Sequence, residues 1–219
     1  TLGACQRSQE ERNRILKVYN WADYIDEDVL AEFPEWYKEQ TGEDIEVIYQ
    51  TFDINEIMLT KIERGHEDFD VVCPSEYIIE RMMKKDMLQP INRDFGNTPD
   101  YIPNLAPYIQ EELNKMSFDE RKVTDYAVAY MWGTAGVLYN KGLVTEEEAL
   151  TCGSLWDPKF NNKILMKDSY RDCYGLSIIY ANTERLQKGE VTVEQLMNDN
   201  SKDAIVMAEE YLKIYKKMC

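Results

Sequence analysis

The side chains at the end of the first predicted strand have the types and the spacing to bind an organic cation. Residues 16–25 alternate as a short strand, and Trp21, Asp23 and Tyr24 come at its carboxyl end. Aromatic ring faces attract ammonium groups and cover methylene groups, while a carboxylate accepts charge-assisted hydrogen bonds. Aromatic residues at such a corner can equally pack a hydrophobic core, so this segment alone leaves both interpretations open.

Three later segments place similar side chains directly after predicted strands or at the starts of the following helices. Ligands of open α/β sheets bind outside the carboxyl ends of the strands, so we expect these groups to share one site with the first. Together with Trp21, Asp23 and Tyr24, the candidate ligand-binding residues are Ser75, Glu76, Tyr77, Trp132, Ser169 and Asp172, with Tyr130 and Asp168 beside them.

Asp168 and Asp172 are four residues apart, which would place both carboxylates on one face of a helix. We expect Asp168 to cap this helix, because Asp is favoured at N-caps and in the first turn. Asp172, one turn further along, is then the better candidate for contact with a ligand.

The sequence is poor in catalytic motifs. It has no phosphate-binding loop, no glycine-rich dinucleotide turn and no hydrolase or zinc-protease signature. Its one histidine, His66, lies in a polar segment, and the five scattered cysteines form no metal-binding pair. We therefore predict no metal and no cofactor. Asp23 and Asp172 could serve as paired carboxylates of a carbohydrate-active enzyme, which stays an alternative.

The charge of the chain excludes several classes of partner. With 41 acidic and 25 basic residues, the net charge is −16, which would repel nucleic acid and anionic lipid. A cationic solute fits this charge better, although most of the acidic residues belong on solvated helix faces. The sequence has no apolar run of about 18 residues, so it predicts no membrane span.

The order of predicted elements indicates two α/β lobes. Strands at 16–25, 45–50 and 69–73 alternate with helices, which predicts a doubly wound lobe over residues 15–132. The first helix begins at Asp26 and ends before Gly42, and Pro34 either kinks it or marks its first turn. Two further strands, 126–131 and 134–140, lead into a partial second lobe over 133–219, with a strand at 163–167.

The amino-terminal residues have the pattern of a processed lipoprotein. Cys5 follows Leu2, Gly3 and Ala4, the kind of sequence at which a bacterial lipoprotein signal peptide is cut and the cysteine is acylated. Residues 1–4 would then be a remnant of the signal, and the polar residues 6–14 would complete a tether.

Four segments, in matching order and spacing, resemble the bacterial extracytoplasmic spermidine/putrescine-binding proteins of ABC transporters. They are residues 19–24 (YNWADY), 69–77 (FDVVCPSEY), 130–134 (YMWGT) and 155–160 (LWDPKF). The resemblance implies a type II periplasmic-binding-protein fold, in which two α/β lobes close on a solute without enzymatic activity. It also implies an ABC permease as partner and a periplasmic location, with the lipid on Cys5 as the membrane anchor.

The resemblance also implies roles for individual residues. Trp21 and Tyr77 correspond to aromatic residues that line the polyamine slot, and Asp23 to an acidic residue near an amine terminus. Ser75 corresponds to a hydroxyl group in the slot, and Asp172 to a carboxylate on the second lobe.

The chain departs from the family pattern at three points. Ala22 stands where Thr is common, and Ser169 replaces a carboxylate. Relatives also continue well past residue 219, so the resemblance implies an incomplete second lobe and a risk of self-association through exposed strand edges. The expected ligand is spermidine or putrescine, with another small solute or the carbohydrate-active enzyme as alternatives.

Overall fold

The computed structural model describes residues 9–65, 68–96 and 98–216. The chain divides into two compact units, Thr1–Trp132 and Gly133–Cys219. Cys5, where we predict acylation, and His66 lie outside the described residues. Among the helices that are described, none is both long enough and apolar enough to span a membrane.

The first unit is built on a parallel sheet. Its strands are β1 (Ile15–Trp21), β2 (Glu46–Phe52) and β3 (Val71–Val72), in the order β2-β1-β3. Trp21 lies opposite Phe52, and Tyr19 lies opposite Val72. This sheet agrees with the three strands predicted for the first lobe.

Helices connect the strands and cover the sheet. The first unit contains α1 (Gln9–Arg12), α2 (Glu27–Thr41), α3 (Asn55–Gly65), α4 (Glu76–Lys84) and α5 (Pro107–Asn114). Its buried core lies between the sheet and the helices α3 and α4, and consists of Tyr19, Phe52, Met58, Leu59, Ile78 and Met82. Tyr19 also stacks on the partly buried ring of Phe69, with 4.5 Å between the ring centroids.

Helix α2 begins and ends where the sequence predicts. The carboxylate of Asp26 accepts a hydrogen bond from the backbone N–H of Asp28, and Gly42 ends the helix in the left-handed conformation, with φ of +80°. The helix continues through Pro34, so the prediction that Pro34 marks the first turn is wrong. Within the helix, the ring of Phe33 contacts Trp36, with 5.7 Å between ring centroids, so side-chain contacts continue past the proline.

The two strands predicted between residues 126 and 140 are not formed. Residues 126–140, all of which the structure describes, contain no strand. A short antiparallel pair precedes them, formed by β4 (Ser117–Phe118) and β5 (Arg121–Lys122). Alternating apolar residues suit a strand, but a strand also needs a neighbour that pairs with its N–H and C=O groups. No described segment provides that neighbour for residues 126–140.

The second unit is helical over the residues that the structure describes. Its helices are α6 (Glu146–Ala149), α7 (Tyr170–Ala181), α8 (Thr183–Gln187), α9 (Val193–Asn198) and α10 (Lys202–Lys216). The core of this unit consists of Ile178, Leu196, Ala204 and Ala208, which join α7 to α9 and α10. The strand predicted at 163–167 is also not formed in this described part, for the same lack of a pairing neighbour.

An aromatic cluster supports α7 and α10. The ring of Trp156 stacks on Tyr180 with 4.2 Å between ring centroids, and its indole N–H donates to the carbonyl oxygen of Tyr211 at 3.0 Å. A buried tryptophan with a satisfied N–H contributes packing without the cost of an unpaired polar group. This cluster positions α7, at whose amino end the predicted Ser169 and Asp172 lie.

Candidate functional site

Most of the predicted residues of the first unit meet at the carboxyl edge of the sheet. After β1, the backbone N–H of Ala22 donates to the carbonyl oxygen of Phe52, at 3.3 Å. After β3, the backbone N–H of Cys73 donates to the carbonyl oxygen of Tyr19, at 3.0 Å. Because the strands are parallel, residues 21–24, 53–56 and 74–77 follow strands that end at the same edge.

Trp21 and Tyr24 form the aromatic part of this edge. The half-buried Trp21 ring packs on Phe52, with 4.6 Å between ring centroids, and on Tyr24, at 6.2 Å. Tyr24 is 44% exposed, so the ring pair extends from the core to the surface. The two interpretations left open by the sequence are thus compatible, since Trp21 packs on the core and keeps an accessible part.

Asp23 lies between Trp21 and Tyr24 in the sequence and has an unusual backbone conformation. Its φ is +59°, in the left-handed region that Asp tolerates better than most residues. The side chain is exposed, and no ion pair involving it is found in the part of the chain that the structure describes. Asp23 therefore offers an accessible carboxylate in the segment that carries the two aromatic rings.

Ser75 and Tyr77 are joined by Asn55, the first residue of α3. The amide nitrogen of Asn55 donates to Ser75 Oγ at 2.9 Å and to the Tyr77 hydroxyl oxygen at 3.0 Å. Asn55 Oδ1 accepts the backbone N–H of Ser75 at 3.2 Å, and the Tyr77 hydroxyl donates to Glu56 Oε1 at 3.0 Å. Asn55 is 5% exposed, so these bonds satisfy a buried amide.

Ser75 occupies the N-cap position of α4, but its side chain makes no capping hydrogen bond. Its Oγ is engaged by Asn55 instead. Glu76, the first residue of α4, is exposed, and there it adds negative charge at the positive end of the helix dipole.

Burial and charge keep Tyr77 protonated. Burial of the ring, opposed by the hydrogen bond from Asn55 and reinforced by the negative charge of Glu56, raises the pKa of Tyr77 to about 12. Nearby, burial raises the pKa of the free Cys73 thiol, so little of it is thiolate at neutral pH. Cys73 thus has the character of a packed thiol.

Trp132 lies apart from these aromatic rings. It is 67% exposed, and its ring contact is with Tyr108 of α5, at 6.3 Å between ring centroids. Tyr130, two residues earlier, does reach the sheet edge, where its hydroxyl donates to the carbonyl oxygen of Tyr24.

In the second unit, Ser169 rather than Asp168 caps α7. Ser169 has extended backbone angles, and its Oγ accepts the backbone N–H of Asp172 at 3.3 Å. Asp168 lies one residue outside the helix and is exposed, so the prediction that it caps the helix and shares a face with Asp172 is wrong. A carboxylate and a hydroxyl are similar N-caps, and the sequence alone could not separate neighbouring candidates.

Asp172 is partly exposed and already has a cationic partner. Its Oδ2 lies 3.0 Å from Lys167 Nζ, and 34% of the Asp172 side chain is accessible. Over the described residues, no group of three or more His, Cys, Asp or Glu side chains is arranged to hold a metal ion.

The sequence interpretation missed Asn55 and Glu56 as site residues. Both follow β2 and begin α3, in the same relation to their strand as Ser75 and Tyr77 have to β3. The carboxyl-end rule that selected the other candidates could therefore have found them.

Comparison with known proteins places the chain beside one class of binding protein, although no family model matches it. The spermidine/putrescine-binding periplasmic protein of Salmonella typhimurium is 31% identical over 167 residues, 76% of this chain and 44% of that protein. A putrescine-binding periplasmic protein of Pseudomonas aeruginosa is 30% identical over 213 residues, 94% of this chain and 53% of that protein. The chain thus spans about half the length of the curated relatives it matches.

Solved structures similar to this chain belong to the same class of protein. A spermidine/putrescine ABC transporter protein from Listeria monocytogenes has a TM-score of 0.70 and 33% identity, covering 93% of this chain and 55% of its own. The substrate-binding protein PotD of Streptococcus pneumoniae has a TM-score of 0.61 and 32% identity, covering 94% and 55%. These findings confirm the resemblance and the predicted fold class.

Proposed function

We propose, from its homology to the spermidine/putrescine-binding proteins, that this chain is an extracytoplasmic solute receptor that binds a linear polyamine for uptake by an ABC transporter. The observation that carries the proposal is the grouping of Trp21, Tyr24, Ser75 and Tyr77 with Asp23 at one sheet edge. Aromatic faces, hydroxyl oxygens and a carboxylate together complement an alkyl chain that ends in ammonium groups.

We assign the first-unit part of the site to Trp21, Asp23, Tyr24, Ser75, Glu76 and Tyr77. Ser169 and Asp172 belong to the second unit, where Asp172 would exchange Lys167 for a ligand ammonium. Trp132 is the weakest member of the predicted set, because its ring contact is with Tyr108.

Calorimetric titration of the purified chain with spermidine, putrescine and an oligosaccharide panel tests the proposal. We expect saturable heat with a polyamine and none with the oligosaccharides. Absence of heat with every polyamine would overturn the receptor proposal. Heat with an oligosaccharide alone would favour the carbohydrate-active alternative, which the names of the relatives do not support.

The predicted lipid on Cys5 and the location need a separate test. A lipidated receptor would follow the membrane fraction of its native host and carry the mass of acyl chains, whereas the Cys5→Ala variant would leave that fraction. An unmodified native chain in the soluble fraction would contradict the anchor while leaving polyamine binding intact.

Two partner proposals remain. Cross-linking in the native membrane should join the receptor to the permease subunits, and the yield should rise when polyamine is present.

Self-association is supported by exposed apolar side chains on α10, namely Ile205, Val206, Met207 and Ile214. A monomeric mass by light scattering at high protein concentration would contradict self-association.

A further inference from the structure

The hydrogen bonds of Asn55 orient two hydroxyl groups at the sheet edge. The backbone N–H of Ser75 can only donate, and it donates to Asn55 Oδ1 at 3.2 Å. The other side-chain atom, Nδ2, therefore lies against the hydroxyl oxygens of Ser75 and Tyr77, at 2.9 and 3.0 Å. Both hydroxyl oxygens accept from Asn55, so each must give its own proton elsewhere.

Glu56 receives the proton of Tyr77. The hydroxyl of Tyr77 donates to Glu56 Oε1 at 3.0 Å, and Glu56 is half-buried at the start of α3. A phenol has one proton to donate, so any further hydrogen bond made by the Tyr77 oxygen is one that it accepts. The Tyr77 hydroxyl can therefore meet a ligand only as an acceptor, while its proton stays on the bond to the Glu56 carboxylate.

This geometry favours one kind of ligand end group. An ammonium group donates hydrogen bonds and is attracted by the charge of Glu56. A carboxylate end group finds no phenolic proton and is repelled by the same charge. The three exposed carboxylates at this edge, Asp23, Asp53 and Glu76, are surrounded by more solvent, which screens their charge more strongly than that of the half-buried Glu56.

We infer that Glu56, acting through Tyr77, is a specificity-determining residue that makes this end of the site select a primary ammonium over a carboxylate. The inference rests on the proposed function, since it names the selectivity of the same site. Glu56 acts here as a positioning residue: it sets the direction of the Tyr77 hydroxyl, and Asn55 holds the oxygen in place.

The test compares two ligands of equal length, putrescine and 4-aminobutanoate, which differ at one end group. Calorimetry on the wild-type chain and on Glu56→Gln gives the ratio of the two affinities. An amide at position 56 carries no charge and can donate or accept, so we expect putrescine affinity to fall about tenfold and the ratio to fall with it. The matched control is Asp53→Asn, which removes an exposed charge at the same edge and should leave the ratio unchanged.

A double-mutant cycle separates action through Tyr77 from a general charge effect. In the Tyr77→Phe background, Glu56→Gln should change the ratio less than it does in the wild-type chain, because only the charge of Glu56 and no oriented hydroxyl is then lost. Three outcomes would overturn the inference and leave the proposed function intact: an unchanged affinity ratio in Glu56→Gln, an equal change of the ratio in Asp53→Asn, or additive effects of the two substitutions in the cycle. A wild-type chain that binds no polyamine would overturn the proposed function, and this inference with it.

Discussion

Trp21 belongs to both the core and the proposed site. Its ring packs on Phe52 beneath it and on the exposed Tyr24 beside it. Replacement of this ring therefore has two separable effects, one on stability and one on cation binding. The binding effect can be isolated by comparison with a tryptophan that lies elsewhere.

We expect Trp21→Leu to weaken polyamine binding about 5- to 30-fold, because a partly desolvated cation–π contact contributes about 1–2 kcal/mol. Trp36→Leu is the matched control, since Trp36 lies on α2 with Phe33 as its ring partner. Calorimetry measures both affinities, and urea denaturation reports any loss of stability. Equal affinities of the two variants would remove Trp21 from the site.

Asp172 gives a second prediction at this scale. If its carboxylate meets a ligand ammonium, Asp172→Asn should weaken diamine binding by about 1.5–3 kcal/mol. Lys167→Ala frees the same carboxylate from its ion pair and should strengthen binding or leave it unchanged. Diamine affinity that is unchanged in Asp172→Asn would show that the carboxylate serves only its own helix.

At the scale of elements, the start of α7 distinguishes two neighbouring residues. Ser169 Oγ accepts a backbone N–H of the first turn, whereas Asp168 is exposed and outside the helix. We expect Ser169→Ala to lower the free energy of unfolding by about 1 kcal/mol. Asp168→Ala should change it by no more than about 0.5 kcal/mol. Urea denaturation of the two variants measures these changes. A larger loss of unfolding free energy in Asp168→Ala than in Ser169→Ala would show that Asp168 is the cap.

An ion-pair network joins α1 to the opposite, amino-terminal side of the sheet. Arg12 contacts Asp68 at 2.7 Å and Asp70 at 3.0 Å, and Lys17 contacts Asp68 at 2.5 Å. Hydrogen bonds from Lys17 and Arg12 hold the pKa of Asp68 below its usual range. Because the pKa is lowered in the folded state, the stabilisation is present at neutral pH and is lost as the pH falls below about 4.

We therefore expect Asp68→Asn to lower the urea midpoint at pH 7 and to have progressively less effect toward pH 3. The matched control is Asp44→Asn, because the two carboxylates are similarly exposed, at 70% for Asp44 and 62% for Asp68, but Asp44 contacts Lys38 whereas Asp68 contacts both Arg12 and Lys17. Its effect at pH 7 should be smaller, since a single exposed pair contributes little and a network of charges contributes more. A midpoint difference for Asp68→Asn that is the same at both pH values would contradict this explanation.

At the scale of the whole molecule, the segment around the unit boundary is a long stretch without helix or strand. Residues 128–140 have no helix or strand, and within them Trp132 is 67% and Leu138 is 99% exposed. Chymotrypsin should therefore cut first between residues 130 and 143 and release fragments close to the two units, Thr1–Trp132 and Gly133–Cys219. Mass spectrometry of early digests identifies the cut, and a first cut within the first-unit sheet would contradict the prediction.

The sequence predicted well those features that depend on local pattern. Alternation and turn residues located β1 and β2, and capping chemistry placed Asp26 before α2. The same reasoning failed for residues 126–140, because alternation cannot show whether a pairing strand is adjacent. It also failed at Asp168, since adjacent capping residues are equivalent in sequence.

The amino-acid sequence by itself determined the family resemblance, the parallel order of the first unit and the residues that end its strands. Those features follow from residue type and spacing along the chain. Only the tertiary structure decided that Asn55 and Glu56 join Ser75 and Tyr77, that Lys167 pairs with Asp172, and that the Trp132 ring contacts Tyr108. The physical reason is that a hydrogen bond or ring contact depends on distances in space between side chains, which spacing along the chain does not specify.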